Sequence, residues 1–205
     1  MLRFLKNVFN TVIILLAVAG LILICTQVKF DDIKESAGNI FSVNKTKITE
    51  DVGDFSTVDK EFKIKTAVNV LGCKTVVAKH QNSGQKMIIV NSGKKTLLTK
   101  EDIKSDDIKT KLEELCKKFN YDSSMIQSIE ITERGYMRAY GQKVPYAKFN
   151  AKISKLSDIC GIVSVVDEGT DNQKLIVSLN DNKHYSQLIT SEFYKNVKET
   201  RGKSD

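Results

Sequence analysis

The sequence predicts an α+β protein: an N-terminal transmembrane helix followed by two tandem copies of a module, each a helix plus an antiparallel β-meander. Three observations carry that expectation. An uncharged apolar run opens the chain. A set of short motifs recurs in the same order 75 to 91 residues later. Within each recurrence the hydrophobic period changes from helical to strand-like.

The opening run is Val12 to Cys25, fourteen apolar residues, short of the roughly 20 that cross ~30 Å of hydrocarbon. Its flanks extend it, because Val8 to Val28 is twenty-one residues without a charge. Arg3 and Lys6 precede it, so the short end is expected in the cytoplasm and the long C-terminal part outside. A cleaved signal peptide fits less well, since the small-x-small site Ala17-Val18-Ala19 lies inside the run and cleavage would leave an apolar N-terminus. Lipidation at Cys25 is disfavoured by the bulk of Leu23 and Ile24 just before it. The expectation is an uncleaved, single-pass anchor.

Behind the anchor the composition is that of a folded chain, 41% hydrophobic and 28% charged overall, with no long Gly/Ser/Pro-rich linker. The net charge is +7, of which Arg3 and Lys6 supply two. Only four residues are arginine, tryptophan is absent, and the lysines are scattered among acids. Nucleic-acid surfaces want arginine forks, clustered charge and stacking aromatics, so no nucleic-acid partner is expected. A weak attraction to anionic membrane or wall polymers remains open.

The repeat is read from matched segments. Asp31-Asp32-Ile33-Lys34 returns as Asp106-Asp107-Ile108-Lys109, and Ile48-Thr49-Glu50 as the strand Ile131-Thr132-Glu133. Phe62 and Cys73 return as Phe149 and Cys160, Gln85-Lys86 as Gln173-Lys174, and Leu97-Leu98-Thr99 as Leu188-Ile189-Thr190. This divides the chain into residues 1–29, cytoplasmic start and anchor; 30–103, first copy; 104–199, second copy; and 200–205, a polar tail.

Each copy should open with a helix. Ile108, Leu112, Leu115, Cys116 and Phe119 form one apolar stripe behind Ser105 or Asp106 as cap, and Ile33, Ala37, Ile40 and Phe41 form its counterpart. Then Phe62, Ile64, Thr66, Val68 and Val70 alternate with Lys63, Lys65, Ala67 and Asn69, the mark of a strand with one wet face. The segments 62–71 and 149–158 compete with a helical reading, because Tyr146, Phe149, Ile153 and Leu156 also share a helical face. Hairpins follow: 74–79 with 86–90 around Gln81-Asn82-Ser83-Gly84, and 162–166 with 174–178 around Gly169-Thr170-Asp171-Asn172. Thr99 and Thr190 each precede an acid by two residues, as at a helix start. A helix on an antiparallel meander resembles the cystatin-like architecture, a likeness of fold that implies no activity.

No catalytic, cofactor-binding or metal-ligating constellation emerges. His80 and His184 both read as exposed loop residues, the acid pairs at Asp31-Asp32 and Asp106-Asp107 suit helix starts, and Asn91 to Thr96 lacks the first glycine of a phosphate-binding loop. Cys73 and Cys160 read as buried small apolar side chains rather than a disulfide, with no metal-type spacing. The unusual stretch is Arg134 to Tyr146, which holds Tyr136, Tyr140, Tyr146, Arg134, Arg138 and the only proline, Pro145. Its counterpart, Asp51 to Val58, has none of these. Tyrosine and arginine are good interface anchors, so Arg134, Tyr136, Arg138, Tyr140 and Tyr146 are the candidate partner-binding residues. The alternative for them is a twisted hairpin packed at the sheet edge. The functional expectation is a non-enzymatic interaction or assembly module of the cell envelope, binding another envelope protein or itself. Its rival is a small-molecule or lipid binder with a pocket in or between the copies.

Overall fold

The computed structural model describes residues 41–42, 44–70, 73–93, 96–117, 126–153, 158–167 and 173–200. The expected anchor, Cys25 and the stripe at Ile33, Ala37 and Ile40 lie outside them. Among the described residues no helix is long and apolar enough to cross a membrane.

The described chain is α+β. Its strands are β1 (Phe41–Ser42), β2 (Phe62–Val70), β3 (Cys73–His80), β4 (Lys86–Gly93), β5 (Ile126–Ala139), β6 (Gln142–Ile153), β7 (Ile159–Asp167) and β8 (Gln173–Asp181). Its helices are α1 (Lys45–Val52), α2 (Lys100–Lys104), α3 (Ile108–Lys117) and α4 (Gln187–Asn196). All strands join one antiparallel sheet in the order β1-β2-β3-β4-β8-β7-β6-β5. The two meanders therefore meet at a central seam, where β4 pairs with β8 through Ile88↔Val177 and Ile89↔Ile176.

Helices cover both faces, where a single covered face was expected. On one face α1 and α4 pack with Ala67, Val76, Met87, Ile89, Ile162 and Ile176; on the other α2 and α3 pack with Val77, Ile88, Val90, Phe149, Val163 and Val177. Burial on two sides explains why Met87 to Val90 and Leu175 to Leu179 are nearly continuous apolar runs rather than alternating ones.

Several local expectations are corrected. Phe41 lies in a strand, and Ile48-Thr49-Glu50 lies in helix α1, not in a strand like Ile131-Thr132-Glu133. Asn44 caps that helix by accepting from the Lys47 N–H at 3.1 Å, and Ile48 and Val52, one turn apart, are buried. The strict alternation of β2 breaks at a bulge between Ile64 and Thr66, so Ala67 joins the face of Phe62 and Ile64, while Thr66 pairs with Val77 of the opposite face. Segment 142–153 is strand throughout. The start of α2 at Thr99 is as expected, a capping box with Asp102, but α4 is capped by Ser186, which leaves Thr190 inside the helix.

The matched motifs share strand order but not orientation. Cys73 lies on the α2/α3 face, whereas its counterpart Cys160 alternates with Ile159 and Val163 of that same face and so points to the other. Ile88 and its counterpart Ile176 are likewise on opposite faces. The boundary drawn at 103/104 falls within α2, and that helix rests on β6 and β7 of the second half. The C-terminal end returns the exchange: Asp54 bridges Lys198, and the Thr57 hydroxyl donates to the Asn196 carbonyl at 2.6 Å.

Candidate functional site

The stretch Arg134 to Tyr146 lies in a longer hairpin, β5 with β6, with Arg134 opposite Ala147, Tyr136 opposite Pro145 and Arg138 opposite Lys143. Its turn is Tyr140-Gly141, both at positive φ, 51° and 73°, the backbone that two-residue hairpins need. A non-glycine residue there costs roughly 1–2 kcal/mol. Tyr140 offsets that cost by burial: it is 3% exposed, its hydroxyl donates to the Val52 carbonyl at 3.0 Å, and the Lys174 ammonium sits 4.6 Å from its ring centre.

The candidate residues divide into two sets. Tyr140 and Tyr146 are buried bracing. The Tyr146 hydroxyl donates to the Glu133 carboxylate and accepts from the Gln187 amide at 2.8 Å. Burial, then the bond to Glu133, raises the Tyr146 hydroxyl above the ordinary tyrosine range, while that same bond holds the Glu133 carboxyl below the usual range. Gly135 leaves room for this ring, because a Cβ there would stand 2.8 Å from the Tyr146 hydroxyl. Arg134, Tyr136 and Arg138 form the outer row, alternating with buried Met137 and Ala139. Arg134 pairs with Asp106 at 3.1 Å, and the Lys143 ammonium lies 4.8 Å from the Tyr136 ring centre.

Tyr136, Met137 and Arg138 line one wall of a groove of about 480 Å³, with Tyr146 and Ile162 beneath and Gln187, Ser191 and Lys195 opposite. Side chains of a strand alternate, so three consecutive lining residues mean that the strand backbone itself borders the groove. β5 is the sheet edge and, among the described residues, pairs only with β6. The opposite wall is one helical face, residues i, i+4 and i+8 of α4. All lining residues belong to the second half of the chain, not to a junction between halves.

What fixes α4 in place is a buried polar network. The Gln85 amide, fully buried, donates to the Ser186 carbonyl at 2.9 Å and to the Thr190 hydroxyl at 2.8 Å, and accepts from the Ser186 N–H at 2.7 Å. Thr190 continues to Ser178, and Ser178 to Tyr185, whose hydroxyl burial pushes up to about 12. Tyr194 crosses the seam: its hydroxyl accepts from the Ile88 N–H at 3.2 Å and lies 2.7 Å from the Val177 carbonyl and 3.0 Å from that of Ile88.

The α4 wall was missed from sequence, although Gln187, Ser191 and Lys195 stand at helical spacing. Placing the helix start at Thr190 instead of Ser186 hid it. His80 is also corrected: it is 7% exposed, with Nδ1 accepting from the Ser83 N–H at 3.2 Å and Nε2 facing Glu61 at 2.9 Å. It ties the turn before β2 to the β3–β4 turn and is not among the residues that line the groove. His184 is exposed, as expected, beside Asp181 at 2.7 Å. Cys73 and Cys160 are both buried thiols, and burial raises that of Cys160. Among the described residues no group of three His, Cys, Asp or Glu side chains is placed to hold a metal ion. No protein-family model matches the chain, and no curated protein matches it in sequence.

Proposed function

We propose that this chain is a single-pass membrane protein, anchored by residues 8–28, whose extracytoplasmic α+β region is a protein-interaction or assembly module of the cell envelope. The observation that supports this reading is the groove beside β5, a sheet edge that among the described residues pairs only with β6, where strand backbone at Tyr136 to Arg138 faces a helix. An extended segment of a partner, or of a second copy, can add to such an edge through main-chain hydrogen bonds and take its specificity from the flanking side chains. The buried tyrosines hold the hairpin that presents the edge, so little order has to be created on docking.

The test is a photo-crosslinking residue at position 136 in the full chain in its native membrane, with the same residue at the exposed Lys63 as control. A protein adduct from position 136 alone is expected; equal adducts, or none, would remove the reading. Protease protection of residues 29–205 from the cytoplasmic side tests the orientation.

A small-molecule or lipid ligand is the second reading. The groove volume falls within the ~300–1,000 Å³ of ligand clefts, and a ligand carried through native mass spectrometry of the full chain would favour it.

A further inference from the structure

Followed strand by strand, the pairing registers trace one end of the sheet. β1 runs antiparallel to β2 with Phe41 opposite Val70, so the chain arrives at Phe41 from the end where β2 turns into β3. Lys74 opposite Asn91, Gly93 opposite Gln173 and Asp167 opposite Gln173 continue that end across β4, β8 and β7. It finishes at the Tyr140-Gly141 turn, where Ala139 faces Gln142. The entry strand and the hairpin tip are therefore two corners of the same end, seven strand spacings or about 34 Å apart. Phe41 follows Val28, the last residue of the proposed anchor, by thirteen residues, a reach of at most about 45 Å.

The far corner is cationic. Arg138 stands opposite Lys143, both exposed, and among the described residues neither has a carboxylate within ion-pair distance. Like charges placed opposite each other on neighbouring strands repel. The Lys143 ammonium lies 4.8 Å from the centre of the Tyr136 ring, which is 57% exposed. Other cations toward this end face acids: Lys74 meets Asp51 at 2.9 Å, Lys174 meets Glu199 at 3.7 Å, and Arg134 meets Asp106 at 3.1 Å.

We infer that this end of the sheet rests on the bilayer, with the hairpin tip touching anionic phospholipid headgroups through Arg138 and Lys143. The inference rests on the proposed anchor and adds the surface on which the described region is seated. An anchor joined at one corner leaves the sheet free to swing about it. A cationic tip at the other corner supplies a second contact in the same plane, at about fivefold in partitioning per basic residue. Tyr136, apolar in its ring and polar at its hydroxyl, suits the headgroup level beside them. The α4 wall of the groove lies on the opposite face of β5 and is not used by this contact.

The experiment places the full chain in nanodiscs and exploits its lack of tryptophan. Gln142→Trp puts a single emitter at the tip, and Lys63→Trp, at the opposite end of the sheet beside Lys79, is the control. In discs containing phosphatidylglycerol, quenching by a phosphatidylcholine with a nitroxide on its headgroup should be at least about twofold stronger at position 142 than at position 63, and salt should weaken it. Arg138→Gln combined with Lys143→Gln should bring quenching at 142 down to the control level. The same pair removes a like-charge repulsion, so Tm should stay the same or rise, which separates lost contact from lost folding. Discs of phosphatidylcholine alone should also give the control level. Equal quenching at the two positions in phosphatidylglycerol discs would overturn the seating. Strong quenching at 142 that ignores both the lipid and the two glutamines would overturn the headgroup contact. Either failure with a protein adduct still formed at position 136 leaves the interaction role standing, whereas the expected quenching without that adduct removes the interaction role alone. A chain that does not enter the discs removes the anchor and both readings with it.

Discussion

The two halves of the sheet use the same strand order and arrive at different surfaces. In the first half, β2 ends the main ladder and, among the described residues, carries only the two-residue β1 beyond it. In the second, β6 carries the fourteen-residue β5, long enough to leave the helix-covered core and form the groove wall with its last residues. The first half is thus mostly scaffold, and the second half is scaffold plus an added edge. The difference also shows why two meanders with matching motifs need not be two domains: their seam and their helices are shared.

The sharpest way to break that contrast is to attack the seam. Tyr194→Ala removes a fully buried ring and the hydroxyl that bridges β4 and β8, and should cost about 3–5 kcal/mol, with Tyr194→Phe costing about 1–3 kcal/mol. If the halves form one unit, urea unfolding followed by fluorescence and by circular dichroism will shift as one transition. Two separated transitions would make the halves independent.

Next in size is Gly161, which pairs directly with Phe149. A Cβ there would stand 2.5 Å from the Ser178 carbonyl oxygen and 2.7 Å from the Phe149 ring. Gly161→Ala should destabilise by about 1–3 kcal/mol. Lys74, the matching first-half position, has no such neighbour constraint, and Lys74→Ala should lower the unfolding midpoint far less.

The α4 anchorage has a pH signature. Tyr185 and Tyr194 are both held above the ordinary tyrosine value of 10.0 by burial, Tyr185 to about 12. Their neutral forms are favoured in the folded state, so stability is intact below pH 10 and falls as pH rises from 10 towards 12. Tyr185→Phe should shrink that loss in thermal unfolding across the alkaline range. Glu133 acts in the opposite direction. Its carboxyl is held below 4.5, so its small contribution is present above that pH and is lost as pH falls below it.

Within the hairpin, Tyr146→Phe forfeits the bonds to Glu133 and Gln187 and should cost about 1 kcal/mol. It should also loosen the groove enough to lower crosslinking from position 136. Smallest is Arg134→Ala, whose partner Asp106 is almost wholly exposed; no measurable change in Tm is expected.

What could be read from the chain follows from which forces are local. The turn at Gln81 to Gly84, the Thr99 cap and the strand character of 62–70 rest on neighbouring residues, and each was legible. The Tyr/Arg-rich stretch does form a hairpin, yet its division into buried Tyr140 and Tyr146 and outer Arg134, Tyr136 and Arg138 depends on contacts with Val52, Lys174 and Gln187, 34 to 88 residues away. His80 was misjudged for the same reason, its partner Glu61 being 19 residues back. The repeat misled because matching letters does not report which way a strand faces. One bulge, as after Ile64, reverses inside and outside for everything beyond it.

The position of β4 at the middle of the sheet has a consequence for how the chain is made. Its second neighbour, β8, begins eighty residues after β4 ends, so during synthesis the first meander emerges with an apolar strand edge that nothing yet covers. Closing the sheet must wait for nearly the whole chain, which places this fold among those with distant pairings and slow folding. Until then the exposed edge of Met87 to Val90 is the segment most open to pairing with the wrong neighbour.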